Sequence, residues 1–383
     1  MEKPRFVCLD SSTWGLLAKE ITHDSSAARV LSLLNEGTVV PFFTDHHVLE
    51  IAQHENDDKF KRRIALLRSL RFLAFHRLNE EQANVGSMLD LRELEIVEIL
   101  KNPDISFEAL IPKVREKLIN GFVSGEEFCA MNEEWWALYR RDFAPYMRAH
   151  SAEIASVTHL QMANLNEKIP APGTLKLRPK SEVLKILKSA ARSVAENLRN
   201  VGDEILRDPT KRLKSPEEVS KDFHAEVYEE NLSLYDIPGD PFDNMLAKVG
   251  VSRGRLPRNA TIADVGYEAI FVKTMGKHEQ RLKLPLGAVH SIRQDALPSW
   301  IVWREVDRGM KSNLKIAEGS SLADKMIAPF GLYVDGLELD KRGIEAVRQA
   351  TSRHKLLSLL QNRTFRRKNW KTLTDRLRQL GNS

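Results

Sequence analysis

The chain has 383 residues, 42% hydrophobic and 29% charged, so it can bury a core and has room for two or three domains of about 100–200 residues each. No apolar run approaches the roughly 18–20 residues of a membrane span. Met1-Glu2-Lys3-Pro4-Arg5 lacks the apolar stretch of a secretion signal, and two cysteines, Cys8 and Cys129, exclude a disulfide scaffold or a cysteine-based zinc cluster. These features predict a soluble, cytoplasmic protein with no membrane partner. The net charge of +5 is unevenly spread: Arg353 to Arg378 holds nine Lys/Arg and one acid, Asp375, which makes this segment +8 and the remainder −3. Such a tail is either a solvated helical face or a patch that faces a polyanion.

In chain order, Arg5-Phe-Val-Cys-Leu-Asp10 is a short apolar run ending in an acid, the pattern of a buried strand. Ser11-Ser12 offers a helix cap ahead of Trp14, Leu16 and Leu17. Thr38–Thr44 predicts a second strand, followed by a helix from about Asp45 that carries Val48, Leu49 and Ile51. A helix around Lys61–Leu70 leads to a third strand at Arg71–His76. Short apolar strands alternating with helices argue for an α/β fold with a parallel sheet.

The stretch 78–295 reads as mainly helical. In Ser181–Arg207 a stripe of Val183, Leu187, Ala191, Val194, Leu198, Val201 and Ile205 recurs at helical spacing, and Ser215-Pro-Glu-Glu218 is a capping box. Breaks fall at Lys168–Thr174 and between Asp236 and Arg258. Leu297-Pro-Ser-Trp300 opens another helix. Gly331–Asp340 reads as a last strand, again ending on an acid, with helical sequence from Gly343 to Leu360 and a basic amphipathic helix from Phe365 to Leu380.

Acids at strand ends carry the functional signal. In an open parallel sheet, ligands bind beyond the carboxyl ends of the strands, so Asp10 and Asp340 can share one mouth. Glu50 sits on the helix after the second strand, and Asp324 on a helix before the last one. Four converging carboxylates repel one another unless a hard cation neutralises them; Mg²⁺ or Mn²⁺ fits, and such a site can activate water and clamp a phosphoryl oxygen. Taken singly, each acid has an ordinary reading: Asp10 as a helix cap, Glu50 as a solvated helix residue, Asp324 as a first-turn acid, Asp340 as a turn residue.

Leu9-Asp10-Ser11-Ser12, Thr44-Asp-His-His-Val-Leu-Glu50, Ser320-Ser-Leu-Ala-Asp324 and Tyr333-Val-Asp-Gly-Leu-Glu-Leu-Asp340-Lys-Arg342 resemble, in this order, the motifs of the PIN-domain ribonucleases, and of a PIN-like branch found in large bacterial proteins. The resemblance covers residues 1–77 and about 296–383. It implies a three-layer α/β/α core in two halves, 1–77 and 296–362, separated by a mainly helical insertion at 78–295 and followed by a basic C-terminal helix at 363–383. It also implies a divalent-metal-dependent endonuclease whose ligands are Asp10, Glu50, Asp324 and Asp340. Where the family often has Thr two residues before the last Asp, this chain has Glu338, which leaves Asp335 as a competitor for the fourth ligand.

Other constellations point less far. Asp45, His47, Glu50 and His54 lie near one helical face, but no second Glu-x-x-His segment partners them. Trp135-Trp136 with Tyr139-Arg-Arg141, and Ser252-Arg-Gly-Arg-Leu-Pro-Arg258, mix aromatic or flexible sequence with positive charge. Arg363, Arg366, Arg367, Lys368 and Lys371, with Phe365 and Trp370 interleaved, make the stronger nucleic-acid patch, and Ser12 can help position a phosphate or the metal ligands. The expectation is a nuclease acting on nucleic acid, RNA favoured over DNA, in a toxin or phage-defence setting, with the insertion available to a regulatory protein partner. Two rivals stand beside it: a non-catalytic PIN-like scaffold that binds nucleic acid or protein, and a phosphatase or phosphotransferase using Asp10 covalently.

Overall fold

The computed structural model describes residues 3–52, 56–76, 85–119, 121–143, 167–174, 179–205, 215, 217–218, 220–222, 224–225, 237–311 and 324–382. The chain divides into two compact units, Met1–Ala144 with Val289–Ser383, and Pro145–Ala288. Among the described residues no helix is long and apolar enough to cross a membrane.

The first unit is built on β1 (Arg5–Cys8), from which the chain runs through α1 (Ser11–Glu20) and α2 (Ser25–Asn35) to β2 (Val39–Phe43). α3 (Asp45–Ala52) and α4 (Asp57–Arg68) then lead to β3 (Ala74–Phe75), which is shorter than the expected 71–76. The preceding residues are used elsewhere: the Arg71 amide donates to Asn35 Oδ1, and Leu73 bridges antiparallel to Val123. α5 (Met88–Lys101), α6 (Phe107–Leu118), α7 (Gly125–Met131) and α8 (Glu133–Leu138) follow within the same unit. The second compact unit spans Pro145–Ala288, beside the expected insertion at 78–295.

That second unit contains α9 (Lys180–Ile205), α10 (Pro241–Lys248) and α11 (Ile262–Arg281). Phe242, Leu246, Val251 and Val265 form its apolar cluster. The Ser215 hydroxyl and the Glu218 carboxylate exchange the bonds of the expected capping box. The basic loop at 252–258 is engaged inside this unit. Arg253 donates to Asp243 at 2.5 Å and lies over the Phe242 ring, and Arg255 is paired with Glu268.

Back in the first unit, α12 (Pro298–Lys311) precedes β4 (Gly336–Glu338), α13 (Lys341–Thr351), α14 (Leu356–Arg363), β5 (Thr364–Phe365) and α15 (Trp370–Gly381). The five strands form one sheet in the order β3-β2-β1-β4-β5, all parallel, with Val7 facing Pro41 on one side and Gly336 on the other. The α/β class with a parallel sheet is as expected. The last long strand is not: Ala328–Leu332 winds as a 3₁₀ helix, and only Gly336–Glu338 extends. Burial explains this, because a Cβ on Gly331 would meet Leu360 at 2.4 Å, and the Tyr333 hydroxyl is drawn to Glu95 Oε1 at 2.5 Å. Thr364-Phe365, expected inside or beside helix, pairs with β4, so the basic helix starts only at Trp370.

Two interactions hold the sheet's surroundings. Glu95, fully buried, accepts the Ser299 amide at 2.9 Å and its hydroxyl at 2.7 Å as well as the Tyr333 hydroxyl, tying α5 to the start of α12 and to the approach to β4. Burial raises its carboxyl to about 7. On the other side, Trp370, Leu373, Leu377 and Leu380 of α15 join Val30, Leu33 and Leu34 of α2 in the main apolar cluster. Trp136 joins the same cluster against Phe60 and Phe128, so it serves the core. Leu377 is 1% exposed, and Leu377→Ala should cost about 2–5 kcal/mol, read as a lower urea midpoint at unchanged slope.

Candidate active site at the carboxyl ends of the strands

The strand order sends the chain from β1 outward to β2 and β3 on one side, then back across to β4 and β5 on the other. The sheet's switch point therefore lies between β1 and β4, where adjacent connections leave in opposite directions and open a crevice. Asp10 stands two residues beyond β1 and Asp340 two residues beyond β4, both at that crevice.

Asp10 occupies the cap position of α1, yet its carboxylate accepts the Ser12 hydroxyl at 2.5 Å and makes no cap bond to the helix. This sets aside the simple capping role. Its amide donates to Glu338 Oε2 at 3.2 Å. Just upstream, the Leu9 carbonyl accepts from His47 Nε2 at 2.8 Å, while His47 Nδ1 accepts the Thr44 amide at 3.0 Å. Those two bonds put the proton on Nε2 and leave His47 neutral; burial lowers its pKa further. His47 is thus a tie between β1 and α3 with both nitrogens engaged. His54 lies outside the described residues.

Glu50, Asp324 and Asp340 complete the group. Asp324, on the short helical turn 324–327, is 2% exposed, and its Oδ2 has no partner among the described residues. Burial, a hydrogen bond with Asp340, and then the charges of Asp340, Asp10 and Glu50 push its carboxyl up to about 9. Asp340, Asp10 and Glu50 thus all act electrostatically on Asp324. Glu50 is raised chiefly by burial, with a Ser11 bond and Arg63 acting the other way. Asp340 Oδ1 accepts the Gly343 amide at 2.6 Å, so it caps α13 while facing the crevice. Gly343 also makes the space: a Cβ there would lie 2.7 Å from Asp324 Oδ2.

The competitor Asp335 stands at the other end of the sheet, before β4 begins. It accepts the Phe6 amide at 2.8 Å and a two-pronged pair from Arg115 at 3.1 and 2.6 Å, with Arg5 at 3.5 Å; despite burial, these hold its carboxyl below the usual range. Arg363 is at that far end too. Its guanidinium donates to the Leu332 and Val334 carbonyls at 2.6 and 3.1 Å, which corrects its assignment to the nucleic-acid patch. Arg366, Lys368 and Lys371 are exposed in the segment after β5, while Arg367 turns inward.

Three participants escaped the sequence reading. Arg63 on α4 sits beside Glu50 and donates weakly to its carbonyl at 3.5 Å. Thr13, fully buried, donates to Glu338 Oε1 at 2.7 Å. Gly343 gives Asp324 room. Only the glycine left a local trace, in the Asp340-Lys-Arg-Gly343 spacing of a capped helix start.

The group suits a divalent cation on one observation, a buried carboxylate oxygen without a partner among three further carboxylates. It is not a closed cage: among the described residues no three His, Cys, Asp or Glu side chains already stand in a metal-holding cluster. No family model matches the sequence, and no curated protein or solved structure matches it significantly.

A raised carboxyl pKa has a defined sign. Below about 4 Asp324 is protonated folded or unfolded; between there and about 9 the folded state holds a proton that the unfolded chain releases. Stability of the metal-free protein should fall as pH rises from about 5 to about 9, with the carboxyls of Glu338 and Asp45, both raised to about 7, pulling the same way. Asp324→Asn should flatten this dependence and raise stability at pH 8, which denaturant titrations at several pH values will read.

Proposed function

We propose that this chain is a divalent-metal-dependent nuclease with a PIN-like core, cleaving phosphodiester bonds of nucleic acid, RNA favoured over DNA. The observation that supports this best is that Asp324, whose buried Oδ2 has no partner among the described residues, feels the charges of Asp340, Asp10 and Glu50 at the crevice beyond β1 and β4. These four residues would hold Mg²⁺ or Mn²⁺, which when bound offsets their repulsion, polarises a phosphoryl oxygen and makes water a better nucleophile. The chain's own groups do the rest. The Ser12 hydroxyl fixes one Asp10 oxygen, the Gly343 amide fixes one of Asp340, and Arg63 tempers the charge at Glu50. Arg366, Lys368 and Lys371, exposed after β5, supply salt-sensitive affinity for the phosphate backbone, whatever the sequence.

One observation favours a second reading. The carboxylates are not drawn into a closed cage, as would suit a PIN-like scaffold that binds nucleic acid without cutting it. Labelled single-stranded RNA and DNA, incubated with Mg²⁺, Mn²⁺ or EDTA, separate the two. The nuclease reading expects metal-dependent cleavage that drops by more than about 100-fold in Asp10→Asn and Asp324→Asn, beyond the roughly 10–100-fold cost of losing a supporting residue. Salt-sensitive binding with no cleavage of either substrate under any metal condition would overturn it in favour of the scaffold.

A further inference from the structure

Arg367 belongs by sequence to the basic tail, between exposed Arg366 and Lys368, and by that company reads as one more phosphate contact. Its side chain does something else. Arg367 Nε donates to Thr13 Oγ1 at 2.8 Å, and the guanidinium lies 3.5 Å from Glu338 Oε1 with only 16% of the side chain exposed. It rests over the Trp370 ring at 4.9 Å, and the Trp370 indole donates to Glu20 Oε2 at 2.8 Å, anchoring it to α1.

The bonds continue inward. The Thr13 hydroxyl accepts from Arg367 and donates to Glu338 Oε1, so its one proton is committed. Glu338, 4% exposed, spends its other oxygen on the Asp10 amide. An unbroken path of hydrogen bonds thus runs from the C-terminal segment through α1 and the end of β4 to the backbone of Asp10. It places a further carboxylate, Glu338, beside Asp10, and Arg367 is the cation next to it. Without that cation, Glu338 would face Asp10 with only a hydroxyl and an amide as its support, which disfavours an ionised carboxylate there.

We propose that Arg367, Thr13 and Glu338 form a positioning unit that fixes Asp10 at the end of β1, so that the C-terminal segment completes the active site and does not merely attract substrate. The inference takes the nuclease reading as its setting and is independent of it in geometry. Arg367 is a positioning residue, because it reaches the site through Thr13 and Glu338.

The test uses the full chain as wild type, Arg367→Gln, Glu338→Gln, the double variant and Arg366→Gln, with two readouts. In steady-state cleavage, Arg367→Gln should lower kcat by about 10–100-fold and leave KM and its salt dependence essentially unchanged. The double variant should recover most of that loss, since no unpaired charge remains. Arg366→Gln should instead raise KM and reduce the log–log salt slope by about 1. In hydrogen–deuterium exchange, the peptide containing Asp10 should exchange several-fold faster in Arg367→Gln and return towards wild type in the double variant, with β2 and β3 unaffected. If Arg367→Gln fails to fold while the double variant folds, the same charge balance is demonstrated. Unchanged exchange around Asp10 in Arg367→Gln, or a KM and salt effect with kcat intact, would overturn the proposal and make Arg367 a phosphate contact. If the wild type cleaves nothing, the nuclease reading falls alone, and the exchange data still decide whether the unit positions Asp10.

Discussion

Mutual repulsion among carboxylates at one end of a parallel sheet is the constraint around which this unit is organised. The charges of Asp10, Glu50 and Asp340 all act on Asp324, and Glu338, which feels Asp10, adds a fifth acid two residues before Asp340. Each is held by a different means. Ser12 bonds Asp10, Ser11 and Arg63 offset Glu50, the Gly343 amide holds Asp340, and Thr13 with Arg367 holds Glu338. Asp324 is left with a buried oxygen that has no partner among the described residues, and burial with its neighbours' charge raises its carboxyl to about 9. A site whose least supported acid is also its most buried is arranged to favour a cation.

The scaffold behind this mouth keeps the two central strand ends in place with polar ties that are themselves buried. His47 links the Leu9 carbonyl to the Thr44 amide, so the end of β1 and the start of α3 move as one piece. Glu95 does similar work on the β4 side by gathering Ser299 and Tyr333. Neither residue is near the solvent, and each would be costly to leave half-bonded, so both specify geometry more than they add stability. α15 then closes the sheet's flank by packing Trp370, Leu373 and Leu377 beside α2, which brings residues from the two ends of the chain into one apolar cluster.

Much of the architecture was readable because it rests on local pattern. Short apolar runs marked β1, which leads to Asp10, and β2, and the spacing of Val48, Leu49 and Ile51 marked α3. The placing of Asp10 and Asp340 just beyond strand ends was also readable, since acids there fall at the carboxyl mouth of any parallel sheet. The errors share a cause. Gly331–Asp335 has strand-like composition but winds into a turn because Tyr333 is claimed by Glu95 and Gly331 by its close neighbours. Helices α5 to α8 fall in the sheet-bearing unit although nothing in their own sequence says which unit they join. Arg363 and Arg367 look like their neighbours in a basic run, yet one guanidinium is spent on backbone carbonyls and the other on Thr13.

By itself the sequence determined the α/β class, the order of the first strands and helices, and which acids lie at strand ends, because hydrophobic period and helix-start chemistry act over a few residues. Tertiary structure alone decided that β1 and β4 are neighbours, which makes Asp10 and Asp340 face one crevice although 330 positions separate them in a chain of 383. It also decided which charges are spent and which are available. The partners of Asp335, Arg363 and Arg367 are remote in sequence, and a side chain's electrostatic role is set by what is folded against it, which local pattern does not encode.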